Sequence, residues 1–111
     1  MAGTISPRAL TVEVASYTGT AAALALDCGR VPFACFFFNM TDGDAGFFWI
    51  QGMATNQAMT FATTANGAAV WTATTSCVSI LDGSAGTGIG IQIGTNSIVN
   101  ESAKAYQGWI F

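Results

Sequence analysis

The chain has 111 residues, of which three are basic and six acidic, for a net charge of −3 at pH 7. Charged side chains make up 8% of it, against about 25% in an ordinary soluble domain. The few dispersed cations exclude a basic footprint for nucleic acid or an anionic membrane. The absence of histidine removes the commonest general base and metal ligand.

Alanine (19), threonine (14) and glycine (13) dominate the composition. Mean hydropathy is +0.48. Surface scaling gives a chain of this size a folded area of about 5,800 Å², or roughly one charge per 640 Å². A surface so poor in charge suits a subunit covered by neighbours better than a free monomer.

Residues 1–8 are short, polar and carry Pro7 and Arg8. They read as an extended N-terminal arm, either a loose terminus or a tail that orders on a neighbour. Residues 9–111 read as one domain. Leu10, Val12 and Val14 alternate with Thr11, Glu13 and Ala15, which predicts a strand with one wet face. Thr20 to Leu26 places Leu24 and Leu26 on one side. Phe33 to Met40 is an aromatic run that predicts a strand buried on both faces. Asp42 to Gly46 is a turn by composition, and Phe47 to Met53 completes a hairpin.

Ala58 to Thr63 and Ala68 to Thr74 flank Asn66-Gly67, the strongest hairpin signal in the chain. Cys77 to Leu81 alternates and ends at Asp82-Gly83. Ile89, Ile91 and Ile93 alternate with Gly90 and Gln92, and Tyr106 to Phe111 closes the chain. About eight short strands separated by turn residues predict an all-β fold, an antiparallel β-sandwich or jelly roll. The longest nearly apolar stretch, Val31 to Phe38, is eight residues, against about 20 for a membrane-spanning helix. The polar start predicts a chain made in the cytosol without a secretory leader.

Residues for chemistry are scarce. Without histidine there is no Ser-His-Asp or Cys-His arrangement. Asp42 and Asp44 read as turn formers, with a calcium loop the sharper alternative. Asp82 with Gly83 reads the same way. Gly86-Thr87-Gly88 lacks the lysine and following helix of a phosphate cradle and reads as a loop. Cys28, Cys35 and Cys77 are odd in number, without CxxC spacing. They read as small buried hydrophobes, with one disulfide or metal ligation as alternatives. The expectation is a protein with no catalytic residues, no metal and no cofactor.

Two stretches carry a resemblance. One runs Val31-Pro32 through Phe38, Thr41-Asp42-Gly43, and Phe47 to Trp49; the other runs Ile91 to Asn100 and then Tyr106-Gln107-Gly108-Trp109-Ile110-Phe111. Spanning residues 31–50 and 88–111, they resemble β-rich structural proteins of tailed bacteriophages. In the closing stretch, Gly94 is expected to turn at positive φ and Asn96 or Asn100 to bond its own backbone. The resemblance implies a capsid decoration or cement protein on the outer head shell, made in the host cytoplasm. Its implied partners are the major capsid protein and two further copies in a homotrimer, with no nucleic acid, membrane or small-molecule substrate. Ile5, Pro7 and Arg8 are the expected capsid contacts. The alternatives are a tail-fibre or receptor-binding domain, and a non-viral carbohydrate-binding sandwich stacking sugars on Trp49 and Trp71.

Overall fold

The computed structural model describes residues 3, 12–63, 69–84, 86 and 88–111. Its nine strands are β1 (Glu13–Thr18), β2 (Leu24–Asp27), β3 (Ala34–Asn39), β4 (Ala45–Ile50), β5 (Ala58–Thr63), β6 (Ala69–Thr74), β7 (Val78–Asp82), β8 (Ile89–Ile93) and β9 (Ala105–Ile110). No helix occurs among the described residues. All seven strand pairings are antiparallel. They build a six-stranded sheet, β1-β9-β3-β4-β5-β6, and a three-stranded sheet, β2-β8-β7. The pairing of β1 with β9 and of β2 with β8 wraps the chain ends around its middle. By contrast, β3 through β6 run as a meander.

One core lies between the sheets. Tyr17, Cys35, Phe37, Phe47, Trp49, Ala58, Tyr106 and Ile110 from the large sheet meet Val78, Ile91 and Ile93 from the small one. Leu24 and Leu26 pack against them from one side of β2, as their spacing predicts. Phe37 stacks on Phe47 at 5.6 Å, and Tyr17 stacks on Tyr106 at 4.8 Å.

The buried polar groups tie the loop after β8 to this core. Tyr17 donates to the Val99 carbonyl at 2.6 Å, and Tyr106 donates to the Ile98 carbonyl at 2.8 Å. Asn100 is fully buried. Its amide donates to the carbonyls of Ala22 and Gly94, and its side-chain oxygen accepts from the Thr20 N–H. A buried amide satisfied three times holds two loops far apart in sequence.

Several sequence expectations need correction. In β1 the faces are inverted: Val12 and Val14 lie open, and Tyr17 faces the core. The tyrosine brings the largest area and a hydrogen bond, and a period of two fixes every other residue from its parity. Phe33 to Met40 is covered on one face only. Cys35, Phe37 and Asn39 are buried, whereas Phe38 is exposed. Asp42 and Asp44 do lie in a turn, but Ala45 and Gly46 already belong to β4. Thr20 to Ala23 precede β2 as a bend, with Ala21 at φ +62°. The β5–β6 hairpin forms in register from Ala58↔Thr74 to Thr63↔Ala69; Asn66 and Gly67 lie outside the described residues.

Gly94 also differs from expectation. It is not among the positive-φ glycines. It is needed because a Cβ there would collide with the Ser76 carbonyl. Asn96 does form the expected local turn, accepting from the Ile98 N–H at 2.8 Å, while Asn100 reaches across the fold.

Gly108 sits where β9 passes between β1 and β3, and a Cβ there would strike the Phe36 carbonyl. Gly108→Ala should destabilise the fold by about 2–4 kcal/mol, because backbone must shift in a central strand. Urea unfolding followed by tryptophan fluorescence reads this. Asn100→Ala should cost a similar amount by leaving three polar groups unpartnered.

Candidate functional site: an uncharged aromatic sheet face

The six-stranded sheet has two aromatic faces and only one is in the core. Register places Phe36 beside both Phe48 and Trp109, and Phe61 beside Trp71. These residues share the outer face with Phe38, since side chains two apart on a strand point the same way. The rings touch in a continuous chain. Trp109 meets Phe38 edge-on at 6.5 Å, and Phe38 meets Phe36 at 4.9 Å. Phe36 and Phe48 both reach Trp71, at 6.2 and 5.1 Å, and Trp71 meets Phe61 at 5.2 Å.

This face is open. Val14 is 72% exposed, Ile50 52%, Trp71 and Trp109 44% each, and Phe38 42%. Of its outward positions, Ser16, Thr18, Thr63 and Gln107 are polar and none is charged. A shallow apolar groove runs beside Trp109, lined by Val14, Phe38, Met40, Gln107 and Gly108. A contiguous apolar patch of this kind marks an interaction surface.

The charges of the described residues sit elsewhere. Asp27 and Asp82 end their strands, Glu13 begins one, and Arg30, Asp42, Asp44, Glu101 and Lys104 lie between strands. Arg30 bonds Glu13 at 3.0 Å, and Lys104 bonds Asp42 at 3.0 Å. Both pairs are partly solvated, so neither contributes much to stability. They fix loops at the rim of the large sheet without entering its outer face.

The residues singled out for chemistry have structural work. Asn39 accepts from the N–H groups of Thr41 and Asp42 and donates to the Asp42 carboxylate. The Asp42 loop is therefore held by Asn39 and Lys104. Asp82 accepts from the backbone and hydroxyl of Ser84, which lowers its pKa. Near Gly86-Thr87-Gly88, Asp27 accepts from Gly29 N–H, and Gly88 leaves the space that Asp27 occupies. A carboxylate in that place opposes a phosphate. Thr87 itself is outside the described residues. Among the described residues no group of three or more His, Cys, Asp or Glu could hold a metal ion.

The three cysteines are free thiols, with Cys35 and Cys77 buried and Cys28 half-buried. Burial pushes the Cys35 thiol up to about 12 and the Cys77 thiol up to about 11. Trp49, one of the two tryptophans expected to stack sugars, lies in the core at 3% exposure, so only Trp71 is available for such a role. Ile5, Pro7 and Arg8, the expected capsid contacts, lie outside the described residues.

The bunched rings Phe36-Phe37-Phe38 and Phe47-Phe48-Trp49 read from sequence as core or subunit interface; the structure divides them between the core and an outer face shared with Phe61, Trp71 and Trp109. Adjacent rings on neighbouring strands must put aromatics on both faces of a sheet. Comparison with family models, curated proteins and solved structures gives no match.

Thiol titration at pH 8 should label Cys28 first, with Cys35 and Cys77 reacting only on unfolding. Above pH 9 the unfolded chain releases thiol protons that the folded chain retains. The unfolded state then binds fewer protons, and stability falls as pH rises from about 9 towards 12. The buried hydroxyls of Tyr17 and Tyr106, both shifted upward chiefly by burial, add to the loss above pH 10. Denaturant midpoints across pH 5–11 should be free of any histidine-linked step and drop beyond pH 9.

Proposed function

We propose that this chain is a structural assembly subunit, a β-sandwich that acts by burying surface and not by turning over a substrate. The observation that carries the reading is the exposed, uncharged aromatic face of the six-stranded sheet. Removing apolar surface from water contributes about 25 cal/mol per Å². A face of linked rings gains by that route and has no charge to desolvate at a penalty. Nothing in the face is arranged to take or give a proton.

The assembly we propose is the head of a tailed bacteriophage, with this chain as a decoration or cement protein that bridges coat subunits. Its support is the resemblance of residues 31–50 and 88–111. These stretches hold β3, β4, β8 and β9, and β3 pairs with both β4 and β9. The resembling residues therefore lie largely side by side in one sheet, as a shared structural unit requires. The wrapped pairs β1·β9 and β2·β8 favour a jelly-roll ancestry, with the β3–β6 meander as the departure. In this reading the arm of residues 1–8, with Ile5, Pro7 and Arg8, reaches the major capsid protein, and copies of the chain associate.

Quantitative mass spectrometry of virions from the source phage tests the assignment. A decoration protein is present at hundreds of copies per particle. A few copies per particle, or none, would overturn the head assignment. Deleting residues 1–8 should lower occupancy on shells at least tenfold while leaving the thermal midpoint within about 2 °C, as expected of a terminal tail that orders on a neighbour. Unchanged occupancy would sink the role of the arm.

A further inference from the structure

We infer that the outer face of the six-stranded sheet is where copies of this chain meet, with the ring cluster from Phe61 to Trp109 packed against the same cluster of a second copy. The inference rests on the reading of the chain as an assembly subunit; it does not depend on the phage head.

The first argument is extent. Six strands at about 4.8 Å spacing and six residues at about 3.3 Å rise give a face of roughly 29 by 20 Å, or about 580 Å² in projection. Two copies placed face to face cover that area on each side. The total passes the roughly 1,000 Å² that a specific interface needs, and protruding rings raise it towards the standard 1,600 Å². The outer face thus has the size of an interface.

The second argument is chemistry. Interfaces between unlike proteins are about as apolar as the rest of the surface, whereas homodimer interfaces are more apolar and depleted of charge. The outer face carries tryptophan, phenylalanine and methionine, and no Lys, Arg, Asp or Glu. It offers an unlike partner no charge to recognise, so nothing in it discriminates by electrostatics. A copy of itself needs no such recognition. A charged partner surface laid on it would lose hydration with no compensating group.

The third argument is geometry. Sheets pack about 10 Å apart with strands offset by about 30°, and their side chains interdigitate. The exposed rings Trp71, Phe38 and Trp109 are spaced along the face, with the half-buried Phe36 and Phe48 between them. Protruding rings of one copy can enter the lower ground of another. The ion pairs Arg30–Glu13 and Lys104–Asp42 stay at the rim, where solvent keeps them hydrated.

Sedimentation velocity on the full chain from 0.1 to 50 μM tests this. The wild type should sediment as a dimer of the 11.4 kDa chain in the micromolar range, since two copies of one face packed together close on themselves. The double variant Val14→Lys/Ile50→Lys places two charges on open positions of the face. It should weaken association by about a hundredfold or more. Ile80→Lys puts the same change on an exposed position of the small sheet and should leave the mass unchanged. Circular dichroism should show both variants folded.

A folded wild type that is monomeric at 50 μM overturns the inference. So does an oligomer that the Val14→Lys/Ile50→Lys pair leaves intact. Failure of the phage assignment looks different: the chain still oligomerises through this face but is missing from virions. A monomer present at hundreds of copies per virion would instead keep the assignment and sink this interface.

Discussion

Three strands cannot cover six. The large sheet carries aromatic side chains on both faces, and the small sheet shields only one of them. Strand parity makes this unavoidable once Tyr17, Phe37, Phe47 and Tyr106 are committed to the core. Their neighbours in sequence, Phe36, Phe38 and Phe48, must then point outward. A slip of one residue would not cure the problem, because it would expose one aromatic set to bury another. The outer patch follows directly from how the core is built, and the function proposed for it follows from its having no cover among the described residues.

The same parity explains the distribution of charge. Interior strand positions hold Ala, Thr, Val and aromatics, while carboxylates and cations collect at strand ends and turns. There Asp42, Asp82 and Asp27 bond nearby backbone or side chains and shape the loops. Among the described residues, Asn39, Asn96 and Asn100 bond nearby backbone, and Arg30 and Lys104 are ion-paired, so these polar groups are occupied in holding loops together. Among the described residues no buried side-chain nitrogen or oxygen lacks a hydrogen-bond partner. What the described fold leaves unused is apolar surface.

Much of the fold was legible in the sequence. Turn residues and alternating runs located the β3–β4 and β5–β6 hairpins and the strand at Ile89 to Ile93 to within a few positions. What the sequence did not disclose was which face of each strand is inside. Val12 and Val14 looked like a buried stripe, yet Tyr17, at the far end of the same strand, sets the inward parity through contacts with Tyr106 and Val99, which are distant in sequence. Gly94 looked like a turn glycine, but what it meets is the Ser76 carbonyl. Phe33 to Met40 looked buried on both sides because composition cannot count the strands available to cover a face. Each error concerns a long-range contact, and local pattern holds no information about those. The shortage of charge was legible from the outset, and the structure gives it a location.

The central claim is that Trp71 and Trp109 lie on a face that the working protein buries, while Trp49 belongs to the core at all times. Iodide quenching of tryptophan fluorescence measured against protein concentration tests this most directly. At nanomolar concentration two of the three tryptophans should be accessible to the quencher, and at tens of micromolar the accessible fraction should collapse. A quenching curve that is the same at both extremes, with Trp71 and Trp109 still open in the concentrated protein, would contradict the account.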